Sequence, residues 1–276
     1  MSFSIKTNIS ALFAQQSLNA NSEATRKSLA KLSSGSRVES AQDDAAALAI
    51  SVDLVSQLTS NNQAVRNGSD ALSVADTADA ALGQATDILG QLRELAVESG
   101  DGGINDQQRG DLQQQAVALR SELDRIANST EYNGTALLNG SGSLGFQVGT
   151  TGDAATSQIS VSKGDVTVGA LGLGNLDLTS QSGAQSALAG IDGALRVVSS
   201  TRSTVGADAD RASSAIDAAS ARSVSLAAAN SRIADADIAQ ETSDLTKNLI
   251  LGQANVAVLA QANQRSQAAL RLIGSQ

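Results

Sequence analysis

The chain has 276 residues, with 28 acidic side chains against 19 basic ones, a net charge of −9, and no Cys, His, Pro or Trp. These absences exclude thiolate and imidazole catalysis, disulfide scaffolds and His/Cys zinc sites, and the acidity argues against a general affinity for nucleic acid or anionic membrane. The aromatics are Phe3, Phe13, Tyr132 and Phe146 alone, so any core is built from Ala, Leu, Ile and Val, which suits thin helix–helix seams better than a round globule.

The first residues, Met1 to Asn8, lack the basic start and apolar stretch of a secretory signal, so export is expected to take another route. No apolar run reaches the roughly 18–20 residues of a membrane span. Residues 4–34 carry a broken helical seam through Ala11, Ala14, Leu18, Ser22, Thr25, Leu29 and Leu32. Ser33-Ser34-Gly35-Ser36 reads as a helix stop. A long helix is expected from about Asp43 to Glu98, with Leu58, Val65, Leu72, Ala75, Leu82, Leu89 and Ala96 on one face. Gly100-Asp101-Gly102-Gly103 breaks it, and a shorter helix follows through Leu112, Ala116, Leu119, Leu123 and Ile126.

Residues 131–182 are rich in Gly, Ser, Thr and Asn. Alternating stretches at Phe146-Gln147-Val148 and Gln158-Ile159-Ser160-Val161-Ser162 predict a small hairpin or two. From Leu188, steps of three and four run through Ile191, Leu195, Val198, Arg202, Val205, Ala209, Ala212, Ile216, Ala219, Ser223, Leu226, Asn230 and Ile233, a heptad seam. The phase jumps at Ala234-Asp235-Ala236-Asp237, which marks a joint. It resumes through Ile238, Thr242, Leu245, Leu249, Gly252, Val256, Leu259, Asn263, Ser266, Leu270 and Ile273. The fold class expected is mainly α: long antiparallel coiled-coil helices forming a rod-like bundle, with a small β-hairpin element at mid-chain.

Several motifs have a plain reading. Gly140-Ser141-Gly142-Ser143-Leu144-Gly145 spells a dinucleotide fingerprint but lacks the strand–turn–helix context, so a flexible turn is expected. Asp43-Asp44 reads as an acidic helix start rather than a catalytic pair. Asp101 and Asp106 lack the ligand spacing of a calcium loop. Nothing points to an enzyme, a cofactor or a metal. Along residues 238–273 the seven clearly apolar seam residues set little burial against the entropy of ordering a long helix. Such a helix orders best when neighbouring molecules cover it, which points to a self-assembling rod; contacts that never close into a ring generate a helical filament.

At this point the sequence resembles the bacterial flagellins. The residues that carry the resemblance are Ile5-Lys6-Thr7-Asn8, Leu29-Ala30-Lys31-Leu32-Ser33-Ser34-Gly35, Ser40-Ala41-Gln42-Asp43-Asp44-Ala45-Ala46, Leu92-Arg93-Glu94-Leu95-Ala96-Val97, Glu122-Leu123-Asp124-Arg125-Ile126-Ala127 and Tyr132-Asn133-Gly134. Toward the C-terminus they are Ser231-Arg232-Ile233-Ala234-Asp235-Ala236-Asp237, Glu241-Thr242 and Leu259-Ala260-Gln261-Ala262-Asn263-Gln264. The resemblance implies a structural subunit that polymerises into the flagellar filament, a rotating propeller for motility. A hook–filament junction protein of the same superfamily is the alternative. A chemoreceptor-type helical module would need a membrane span or a symmetrical hairpin tip, and neither is visible.

The resemblance further implies a division into an N-terminal filament-core helix (1–40), an outer-wall bundle (41–182) with its β element at about 131–182, a returning outer-wall helix (183–234) and a C-terminal filament-core helix (235–276). It also implies that large inserted outer domains are missing. The polymerisation seam would comprise Leu18, Leu29, Leu32, Ile238, Leu245, Leu249, Val256, Leu259, Leu270 and Ile273. Expected partners are other copies of the chain, a flagellar export chaperone, the filament cap and hook-associated proteins, with neither nucleic acid nor membrane insertion. The product would be secreted by type III export to the extracellular filament. Many flagellins present an arginine-bearing patch to an animal innate receptor. The matching positions hold Gln91, Arg93, Leu95 and Gln115, so two charges of that patch are missing and recognition is expected to be weak.

Overall fold

The computed structural model describes residues 7–273, with side chains through residue 265. With no proline to interrupt them, the helices run long. The order is α1 (Ile9–Ser34), α2 (Ala41–Ser99), α3 (Asp106–Ser129), β1 (Glu131–Tyr132), β2 (Thr135–Ala136), β3 (Asn139–Gln147), α4 (Ala154–Ser157), β4 (Gln158–Asp165), α5 (Gln181–Ala234) and α6 (Ile238–Ile273). Two compact units result, one from residues up to Ser56 with those from Leu226 onward, the other from Gln57–Ser225.

In the first unit, helix ends sit where the local chemistry places them. The Asn8 side chain accepts from the Ala11 N–H at 3.1 Å and caps α1. Gly35 ends α1 at φ 71°, a left-handed conformation that suits glycine, and its N–H returns to the Lys31 carbonyl at 2.9 Å. Asp44 is extended, and its carboxylate accepts the Ala46 and Ala47 N–H groups at 3.1 and 2.9 Å, so the regular part of α2 starts just after it. The joint expected at Ala234–Asp237 is present: Asp237 caps α6 by accepting from Ala239 and Gln240 at 2.9 and 3.1 Å. The two links are tied together, Arg37 N–H to the Ala234 carbonyl at 2.6 Å and Ala236 N–H to the Gly35 carbonyl at 2.9 Å.

The second unit carries the leucine core. Leu82, Leu89 and Leu92 of α2, Leu123 of α3, Leu137, Leu138, Leu173 and Leu178 of the mid-chain segment and Ile191 of α5 are all nearly inaccessible. Rising numbers on α2 meet falling numbers on α5: Asn61 bonds the Ala219 carbonyl at 2.5 Å, Arg202 pairs with Asp79 at 2.7 Å, and Arg93 pairs with Asp192 at 2.9 Å. The two helices are therefore antiparallel. Gly68 permits their close approach, because a Cβ there would lie 2.7 Å from Ile216 Cγ1. Of the expected α5 seam, Ile191, Val198, Val205, Ala212 and Ala219 are buried at every seventh position. Arg202 is instead exposed, because its guanidinium leaves the seam to meet Asp79.

The mid-chain β element consists of two antiparallel hairpins, β1–β2 and β3–β4, with Leu144 opposite Val161 and Phe146 opposite Ile159. Here the expectation of a flexible turn at Gly140–Gly145 is corrected: those residues lie in β3. Pairing with β4 satisfies the backbone polar groups of this side-chain-poor segment, and a register shift between Asn139 and Gly142 absorbs Gly142 at φ 134°. Buried Asp208 of α5 accepts the Ser162 N–H at 2.9 Å and holds β4 in place. Gln113 of α3 grips the following loop, accepting from Leu178 N–H at 2.7 Å and donating to the Leu176 carbonyl at 3.2 Å.

Leu89→Ala is expected to destabilise this second unit by about 2–5 kcal/mol, because a fully buried leucine leaves a cavity; a shifted urea midpoint at constant slope is the readout. Acid should act on the first unit. The Ser40 hydroxyl, followed by the Ser40 N–H, holds the Asp43 carboxyl below its ordinary 3.8. A lowered folded value gives stability that is full above the unfolded value and lost as pH falls through the folded one. The amide resonances of Glu39 and Ser40, which donate to the Asp43 carboxylate, should therefore shift as pH falls below 3.8, and Asp43→Asn should remove that component; superimposable acid profiles for the two proteins would contradict it.

Candidate functional site

With no catalytic constellation in the sequence, the pairing of α1 with α6 is the feature that most asks for an explanation. Both helices belong to the first unit. The Asn8 side-chain amide donates to the Ala262 carbonyl at 3.0 Å, the Asn21 amide to the Asn248 carbonyl at 2.7 Å, and Lys31 pairs with Glu241 at 3.4 Å. Falling numbers against rising ones make the pair antiparallel.

The face that meets in this pair differs from the expected one. On α1 the least exposed positions include Ala11, Ala14, Leu18, Asn21, Thr25, Ser28 and Leu32; on α6 they include Glu241, Leu245, Asn248, Gly252, Asn255, Leu259 and Ala262. Leu18, Leu32, Leu245 and Leu259 sit half-buried between the two helices. Leu29, Ile238, Leu249 and Val256 are instead exposed, Val256 by 54%. Leu270 and Ile273 have side chains outside the described residues. The reason is that α6 has no single apolar stripe: Leu249, Ile250, Leu251, Val256 and Val258 surround much of the helix. The inward face is then selected by asparagine and glycine, which bring main chain and amide into hydrogen-bonding range.

The consequence is a helix pair with its apolar side chains outward. At roughly 100° per residue, Ile238, Leu249 and Val256 line one flank of the α6 seam, and Leu251 and Val258 the other. On α1, Ile9, Leu12 and Phe13 point away from α6, Phe13 with 65% of its surface exposed. An open groove of about 680 Å³ runs along the pair, lined by Leu18, Asn21, Thr25, Leu249, Gly252 and Val256 among others. Exposed apolar side chains in such density mark surfaces made to be covered. The sequence pattern had shown the heptad step but not which polar residues would enter the seam.

The second set of expected positions lies in the other unit. Gln91 and Arg93 are exposed on α2, and Arg93 is engaged with Asp192 at 2.9 Å. Leu95 is half-buried against the leucine core, and Gln115 is exposed on α3. Among the described residues there is no cluster of three or more acidic side chains arranged to hold a metal ion, and no helix is long and apolar enough to cross a membrane.

Comparison with known proteins agrees with this picture at both ends of the chain. Residues 5–143 match the family described as the bacterial flagellin N-terminal helical region, and residues 188–273 match its C-terminal counterpart. The chain is 38% identical to the flagellin of Bacillus subtilis (strain 168), over 98% of this chain and 99% of that one. It is 35% identical to the flagellar filament 30.7 kDa core protein of Treponema maltophilum, over 98% and 99%. The crystal structure of Bacillus cereus flagellin superposes with a TM-score of 0.50 at 28% identity, covering 55% of this chain and 88% of that one. A Vibrio parahaemolyticus structure provisionally described as flagellar hook-associated gives a TM-score of 0.59 at 14% identity, covering 70% and 100%, a likeness of fold. Two family matches that together span most of the sequence, and relatives aligned over nearly their whole length, establish that the chain belongs to the bacterial flagellin family.

Proposed function

We propose that this chain is the structural subunit of a bacterial flagellar filament and that its terminal helices, residues 1–40 and 235–276, form the filament core. The outward-facing apolar side chains of α1 and α6 carry this reading. A protomer that keeps Phe13, Leu249 and Val256 in solvent gains burial only from other copies, and each fully covered side chain of this kind contributes about 1.5–3 kcal/mol. Residues 41–182 and 183–234 would form the outer wall, stabilised by the leucine core that needs no neighbour. The seam of assembly would then include Leu18, Leu29, Leu32, Ile238, Leu245, Leu249, Val256, Leu259, Leu270 and Ile273. The role is mechanical, and it needs no cofactor.

The same exposed surface explains the partners such a subunit needs before it assembles. A cytoplasmic export chaperone would cover α6, type III export would deliver the chain to the extracellular tip, and cap and hook-associated proteins would bound the polymer. A hook–filament junction role is the second reading; it shares the terminal helices, but the relatives aligned over nearly their full length are filament proteins.

Deleting residues 240–276 should abolish filaments in sedimentation and electron microscopy while the helical signal of residues 43–233 is largely kept; normal polymer from the truncated chain would refute a core role for α6. Gln91 and Gln115 offer no charge to an innate receptor, and Arg93 is already bound to Asp192. Purified monomer should therefore activate that receptor weakly in a reporter-cell assay. Potency equal to that of a strong flagellin agonist would overturn this part of the reading.

A further inference from the structure

We infer that Asn21 and Gly252 form a notch-and-peg lock that fixes the axial register of α1 against α6; this rests on the proposed filament-core role of that pair. The Asn21 amide donates to the main-chain carbonyl of Asn248 at 2.7 Å. In a helix that carbonyl already accepts from the N–H of residue 252, so the asparagine takes its second lone pair. Room for the amide exists because residue 252 is glycine: a Cβ there would lie 3.1 Å from Asn21 Nδ2, before any further side-chain atom is added.

The sequence on either side makes the notch unique at this spacing. A slip of one heptad replaces Gly252 with Leu245 in one direction and Leu259 in the other. Either leucine would fill the space the amide needs and shut it off from the carbonyls of Glu241 or Asn255. Shifts by other amounts turn a different face of α6 toward α1. The leucines that give the seam its apolar content recur only every second heptad, Leu18 with Leu32 and Leu245 with Leu259, so their own spacing leaves a slip of two heptads open. A polar side chain within a helix seam is an established device for specifying register. Asn8, donating to the Ala262 carbonyl at 3.0 Å, adds a second contact two heptads away on α6.

The chain has no cysteine, so disulfide trapping reads register cleanly. The pair Asn8→Cys/Ala262→Cys reports the native alignment and Asn8→Cys/Asn255→Cys a displacement by one heptad. Replacing Asn8 in both leaves Asn21 as the remaining amide peg. Each pair is placed in the full-length chain, copolymerised with excess unsubstituted chain so that interchain bonds are rare, and the intrachain disulfide is quantified by mass spectrometry after oxidation of the filaments. The displaced-to-native ratio should rise about fivefold or more when Asn21→Leu, Asn21→Ala or Gly252→Leu is added, the loss expected for one hydrogen bond of about 1 kcal/mol. Asn248→Ala should leave it unchanged, because the contact uses the main-chain oxygen of that residue. A ratio unmoved by all three substitutions would overturn the lock. Absence of filaments from the unsubstituted chain would overturn the reading beneath it.

Discussion

The terminal pair is held by a seam that is small and polar at its centre. Asn21 reaches the Asn248 carbonyl, Ser28 and Ala14 are buried, Lys31 meets Glu241, and Gly252 keeps the space between the helices open. Such contacts are directional but weak. A net hydrogen bond is worth about 0.5–1.5 kcal/mol and a partly exposed ion pair about 1 kcal/mol or less. Hydrophobic burial is the stronger force, and the side chains that could supply it lie on the outside of the pair at Ile9, Leu12, Phe13, Leu249, Ile250 and Val256. Specific geometry is thus supplied by the polar contacts within the pair, and these apolar side chains are left unburied.

The other unit has the opposite arrangement. Leu82, Leu89, Leu92, Leu123, Leu137, Leu138, Leu173 and Leu178 are buried together with Ile191 and Val161. Toward the start of α2, before the leucines, Ala71, Ala75 and Ala78 take over the buried positions, and a Cβ at glycine 68 would meet Ile216. Polar clamps fix the irregular segment to the helices: Asp208 on Ser162, Asn67 on the Gln147 carbonyl at 2.8 Å, Gln113 on the loop at Leu176–Leu178. Buried Arg109 donates to the carbonyls of Ser99, Asp101 and Ile104, which closes the end of α2 where free carbonyls would otherwise face the core. This unit buries a leucine core of its own, with Val97, Val117, Val197 and Val224 left exposed outside it.

One chain therefore divides the physical tasks of a polymer subunit between two kinds of packing. One unit buries a leucine core, whereas the terminal helix pair turns apolar side chains outward. Both are built from alanine, leucine, isoleucine and valine with almost no aromatic contribution, because helices packed side by side approach within reach of short side chains.

Much of this was legible in the residues alone. The absence of proline, the heptad steps, the helix stop at Gly35, the joint at Ala234–Asp237 and the alternation at Gln158–Ser162 each act through local chemistry, so they appear in the fold where the sequence puts them. Three features required the tertiary structure. The Gly140–Gly145 stretch has no side-chain pattern to mark a strand, and only pairing with β4 makes it one. Leu171, Leu173, Leu176 and Leu178 lie in a segment without regular periodicity, and their burial depends on α3 gripping the loop. Finally, the choice of inward face on α6 was undetermined by spacing, because apolar residues occur nearly all round that helix. Contacts from Asn21 and Asn8 to main-chain oxygens more than two hundred positions away decide which side of α6 faces α1 and which faces outward.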